Sequence, residues 1–125
     1  MMYPLPHRPP FILLDQWEIV EPGYKARGHK LITACEGWRY WSGPLLWEAL
    51  GQLAALALGQ ATMLTGIDTA ILHRPLLAGE QLHLEAEIIA FKRGFGKRQG
   101  RAWVEGELVG ELQGSFVSLE RGTKA

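Results

Sequence analysis

Between Gly43 and Gly66 the apolar positions fall on nearly every side of a helical wheel: Leu45, Leu46, Trp47, Leu50, Leu53, Leu56, Leu58 and Met63. A Gly-Pro pair opens this stretch and a Thr-Gly pair closes it, and both are good helix boundaries. The pattern predicts one long helix over 43–66, buried on all sides. Glu48, Gln52 and Gln60 interrupt it, and Gly51 and Gly59 allow close packing. The flanking segments read differently. Four prolines keep residues 4–15 largely out of helix and sheet, and Phe11, Ile12, Leu13 and Leu14 are expected to pack on the body. Residues 16–33 read as two strands joined at Pro22-Gly23. Residues 34–42 form an aromatic-rich loop into the helix. Beyond the helix, 67–76 reads as a strand ended by Pro75. Residues 81–91 alternate apolar and polar positions with the period of a half-buried strand. Residues 97–119 read as a hairpin turning at Glu105-Gly106. Turns are expected at 78–80 and 93–96, and a frayed tail after 119.

Two strands, a helix and four strands make an α+β layout. A flat sheet would cover only one side of a helix that is apolar all round. The sheet must therefore curl around it, or a second subunit must help. The hot-dog arrangement, a curved antiparallel sheet wrapped around one long central helix, satisfies this in a single domain, 1–125.

Composition narrows the picture. The 125 residues suit one core. Thirteen basic and thirteen acidic residues balance to a formal +0, so no broad electrostatic grip on nucleic acid is expected. Lys92-Arg93 and Lys97-Arg98 read as the solvated end of a hairpin, or as a contact for an acidic partner. The lone Cys35 excludes an intramolecular disulfide and fits a reducing compartment. With no visible signal peptide, the expected location is the cytoplasm. A membrane span over 43–66 would bury Glu48, Gln52 and Gln60 at high cost, so none is expected. The four histidines are widely spaced and carry no zinc signature, and no metal or other cofactor is expected.

Glu48 and Gln52 lie one helical turn apart on one face, and a carboxylate near the positive end of a buried helix is the most chemically suggestive feature. The segments LPHRPPFILLD (5–15), GPLLWEALGQLAAL (43–56) and RPLLAGEQLHLEAEIIAFKRGFGKRQGRAWVEGELVGE (74–111) together resemble the β-hydroxyacyl-acyl-carrier-protein dehydratases of the FabZ type. The first and third carry mainly fold signatures, and the second carries the chemistry. The resemblance implies dehydration of 3-hydroxyacyl thioesters held on acyl-carrier protein or coenzyme A. It also implies a homodimer, or a trimer of dimers, with a site shared between subunits. In that family a Glu and a His supply the acid and the base. The Glu maps onto Glu48 in Glu48-Ala49-Leu50-Gly51-Gln52. The His lies in a Gly-His-Phe-Pro loop, which here is shortened to EGWRYWS (36–42) and holds no histidine.

Candidate replacements for that base are His29, in the strand before the loop, and His7, in the first segment. Tyr40 is a poor base at the ordinary phenol pKa of about 10. Cys35 reads as inert packing, and His73 and His83 as sheet residues. For the substrate, the helix-start N–H groups at Leu45, Leu46 and Trp47, next to Gly43, could hold a thioester carbonyl oxygen. Gln52 would fix Glu48, and Trp38, Trp41 and Trp47 would line a pocket or pack at an interface. The readings carried forward are a dehydratase using Glu48, a hot-dog thioesterase using Glu48, and a non-catalytic acyl-binding or partner subunit.

Overall fold

The computed structural model describes residues 13–33, 40–41 and 43–119, with Tyr40 and Trp41 described in their backbone only. The proline-rich start, His7, Cys35, Trp38 and the tail after 119 lie outside the described residues. Among the described residues, eight strands and one helix follow in the order β1 (Gln16–Glu21), β2 (Lys25–Leu31), β3 (Tyr40–Trp41), α1 (Gly43–Leu58), β4 (Thr62–Leu72), β5 (Leu76–Leu77), β6 (Gln81–Lys92), β7 (Phe95–Val104) and β8 (Glu107–Ser118). Six of the strands form one antiparallel sheet in the order β1-β2-β6-β7-β8-β4, and β3 pairs with β5 apart from it. The helix touches all six strands of the large sheet, which is the hot-dog arrangement.

The helix is shorter than the apolar pattern predicts. It stops at Leu58 because Gly59 takes a positive φ of 82° and its N–H returns to the Ala55 carbonyl at 2.8 Å, the left-handed exit that favours glycine. Residues 62–66, expected in the helix, instead begin β4 and pair with β8. Gly66 is thus no helix stop; it adjoins a shift of register in that pairing. The strand expected over 67–76 accordingly runs over 62–72. Nor is the helix covered all round. Pro44 and Glu48 are exposed and Leu45, Trp47 and Gly51 half-buried, so one stripe of α1 faces open space.

The alternation from Leu82 to Ile88 holds: Leu82, Leu84, Ala86 and Ile88 are buried between exposed or half-buried neighbours. Two hairpins turn where expected, at Arg93-Gly94 (φ 55° and 83°) and Glu105-Gly106 (φ 48° and 83°). Positive φ at both central residues is the tight turn that matches strand twist.

Helix and sheet meet closely because the sheet offers glycines to the helix's leucines. Side chains at 46, 50 and 53 share the buried face of α1. A Cβ on Gly110 would strike Leu46, one on Gly100 would lie 3.0 Å from Leu50, and one on Gly28 would lie 3.3 Å from Leu53. Leu46, Leu50 and Leu53 are all at most 2% exposed.

Candidate active site

The open stripe of α1 and the first half of β4 enclose a cleft of about 500 Å³. Trp47, Glu48, Gly51, Gln52 and Ala55 line it from the helix, and Thr62, Met63, Leu64 and Ile67 from the strand. Arg98 reaches it from β7. Apolar walls with a few convergent polar groups are the usual make-up of a small-molecule site.

Glu48 sits at the exposed side of this cleft, oriented by Gln52. Gln52 is 1% exposed, and its Oε1 accepts the Leu13 backbone N–H at 2.9 Å. That bond fixes the amide's orientation, so the Nε2 amino group points the other way. It donates to Glu48 Oε2 at 3.2 Å. The four-residue spacing of the sequence thus becomes a direct hydrogen bond.

The remaining site candidates divide. Trp47 lines the cleft, and its indole lies against Gly43, 3.2 Å from where a Cβ would stand there. Leu46 points away, into the core, so only its backbone could serve a ligand. Leu45 packs against the same core. The Trp41 backbone, in β3, pairs with Leu76 of β5. His7 and Trp38 lie outside the described residues.

Within one chain His29 is not brought to Glu48. In β2 the buried positions are Ala26, Gly28 and Lys30, with Gly28 against Leu53 of the helix. Successive strand residues point to opposite faces, so His29 lies on the outer face of the sheet. There its ring meets that of His83, directly across the β2–β6 pairing, at 4.1 Å between centroids. His73 is also on the surface, with Nε2 3.0 Å from Glu111 Oε2. Among the described residues, no histidine lines the cleft.

Arg98 is the residue the sequence reading missed. Read as part of a solvated hairpin end, it is in fact 6% exposed. The signal was present in register: 98, 100, 102 and 104 alternate as the buried positions of β7, and Gly100, Ala102 and Val104 mark that face as inward. Nη1 of Arg98 donates to Thr62 Oγ1 at 3.1 Å, and its guanidinium carbon stands 5.6 Å from the Phe116 ring centroid. Burial pulls its pKa below the usual arginine value, and the charge of nearby Glu48 pushes it back up.

No family model matches the chain, but curated proteins do. It is 37% identical over 136 residues to a 3-hydroxyacyl-[acyl-carrier-protein] dehydratase FabZ of Acetivibrio thermocellus, covering 97% of this chain and 93% of that protein. To the protein of the same name from Bacillus subtilis it is 36% identical, with 90% and 91% covered. The first alignment is longer than this 125-residue chain, so that relative has residues without counterparts here. Among solved structures, the dehydratase heterocomplex ApeI:P of Xenorhabdus doucetiae superposes with a TM-score of 0.81 at 16% identity, covering 94% and 90% of the two chains. A hypothetical thioesterase of Streptococcus pneumoniae, solved with coenzyme A, gives 0.70 at 12% identity, with 85% and 88% covered. At such identities these structures speak for the fold.

Proposed function

Because the chain belongs to the FabZ family of 3-hydroxyacyl-[acyl-carrier-protein] dehydratases, we propose that it removes water from 3-hydroxyacyl thioesters, in the cytoplasm, with Glu48 moving the protons. The observation that carries this is Glu48 at an apolar cleft, hydrogen-bonded by a buried Gln52. It is the one carboxylate among the cleft's described lining residues. Elimination needs a base for the proton on the carbon next to the thioester and an acid for the departing hydroxyl. One carboxylate can do both in sequence. Glu48 takes the proton, the C–H electron pair becomes the new double bond, and the C–O bond breaks. The same proton then leaves with the hydroxyl as water, and the carboxylate is restored.

In a helix that begins at Gly43, the N–H groups of Gly43 and Leu45 lack intrahelical acceptors, Pro44 having no N–H, and they suit the thioester carbonyl oxygen, where negative charge develops. His7 is the other candidate base. If it serves, His7→Ala removes activity; if Glu48 works alone, His7→Ala leaves it. The acyl group arrives on acyl-carrier protein or coenzyme A.

The described cleft offers no histidine, which favours a second reading, a thioesterase in which Glu48 activates water. Crotonyl and 3-hydroxybutyryl thioesters, followed in parallel for interconversion and for free thiol, separate the two. Interconversion without thiol release supports the dehydratase, and thiol release supports the thioesterase. Silence in both assays, with carrier protein bound, makes the chain a partner subunit.

A further inference from the structure

A guanidinium at 6% exposure in the wall of an apolar cleft needs a reason. Burying a charge is costly unless it is paired and fully hydrogen-bonded. Arg98 has five N–H donors, and among the described residues its hydrogen bond is to Thr62. Its Nε is buried and, among the described residues, meets no acceptor. The stacking partner Phe116 offers the face of a ring but no oxygen. Glu48 acts on Arg98 through its charge, but its described hydrogen bond is to Gln52. Packing alone would not select arginine here. The neighbouring cleft residues Ala55, Leu64 and Ile67 show that an aliphatic side chain would suit the same wall.

The position of Arg98 tells which part of a substrate it would meet. A Cβ on Gly51 would lie 3.2 Å from Arg98 Nη2. Arg98 therefore sits about one helical turn beyond Glu48, away from the N-terminal end of α1. A carrier's phosphate would stay near the cleft mouth, in contact with water, whereas Arg98 is buried. On the acyl-thioester reading of the cleft, the group that reaches it belongs to the acyl chain.

We propose that Arg98 is a specificity-determining residue that recognises an oxygen acceptor, best a carboxylate, carried on the acyl chain beyond the reacting carbons. The preferred substrate is then an oxygen-bearing acyl thioester rather than a plain alkyl one. This rests on the acyl-thioester reading of the cleft. Guanidinium N–H groups pair with carboxylate oxygens in a planar fork and with more than the strength of neutral hydrogen bonds.

The test uses two probes of equal length, pentanoyl- and glutaryl-pantetheine, which differ in a terminal methyl against a carboxylate. Binding is followed by calorimetry and by the change in tryptophan fluorescence, to which Trp47 in the cleft wall contributes. The full-length protein should bind the glutaryl probe about tenfold more tightly or better, the scale of a charge-assisted hydrogen bond. Arg98→Leu should lose that preference, and Arg98→Lys should keep part of it. Equal binding of both probes by the unaltered protein, or a preference that survives Arg98→Leu, overturns the proposal. Should Arg98→Leu fail to fold, the unaltered protein's discrimination still decides. If neither probe binds, the acyl-thioester reading fails together with the proposal. If both bind equally and crotonyl thioester is still hydrated, only the role of Arg98 fails.

Discussion

Glu80 shows how a single carboxylate can hold a turn. It accepts both Arg74 Nη1 and Nη2, at 2.9 and 2.8 Å, and the Leu77 N–H at 2.8 Å. Arg74 lowers its pKa, burial opposes the shift, and the Leu77 bond adds to it. A carboxylate depressed in the folded state contributes stability above its unfolded pKa and loses it as pH falls through the folded value. Glu80→Gln should therefore cost about 1 kcal/mol at neutral pH. It should also flatten the loss of stability below about pH 4.5, where carboxylates ordinarily titrate. Urea denaturation at several pH values checks both. At this same scale the sequence was most informative about Glu48 and Gln52, since a four-residue spacing on a helix is a near-direct statement of contact. It was least informative where the face of a strand mattered. The sequence left the face of His29 open and read Arg98 as solvated; the first turns outward and the second inward, because the pairing register decides the face.

Among the elements, the small strand residues explain how a leucine-rich helix comes so near the sheet. Gly28, Gly100 and Gly110 stand opposite Leu53, Leu50 and Leu46. Filling one such gap forces the helix outward or its leucine off its rotamer. Gly100→Val should cost about 1–3 kcal/mol, seen as a lower denaturation midpoint with an unchanged slope. Hairpin turns and the β6 alternation were readable because each rests on a few adjacent residues. The helix end was not. Leu64 and Met63 continue an apolar pattern that suits a helix and a strand equally well, and the pairing of β4 with β8 decides between them.

Over the whole molecule, β4 is the margin of the large sheet, paired only with β8 among the described strands. Met63, Ile67 and Ile71 on it are 53%, 52% and 41% exposed, and Met63 and Ile67 also line the cleft. An apolar edge strand is a ready surface for pairing, and a second subunit there would close the cleft. Light scattering at micromolar concentration should give at least twice the mass of one chain, and Ile67→Lys should lower it. A single-chain mass for the unaltered protein would contradict this. The helix pattern alone left open whether a curled sheet or a second subunit covers α1, and it did not point to the apolar edge of β4, which only the strand order exposes.

The central claim is that Glu48 performs proton transfer on an acyl thioester, and the rate of 3-hydroxybutyryl-thioester dehydration in Glu48→Gln tests it most directly. Glutamine keeps the shape and can still bond Gln52, so circular dichroism and thermal unfolding should match the unaltered protein. The dehydration rate should fall by about a hundredfold or more, the contribution of a positioned acid–base group. A folded Glu48→Gln protein that dehydrates at the unaltered rate would make Glu48 structural and contradict the account.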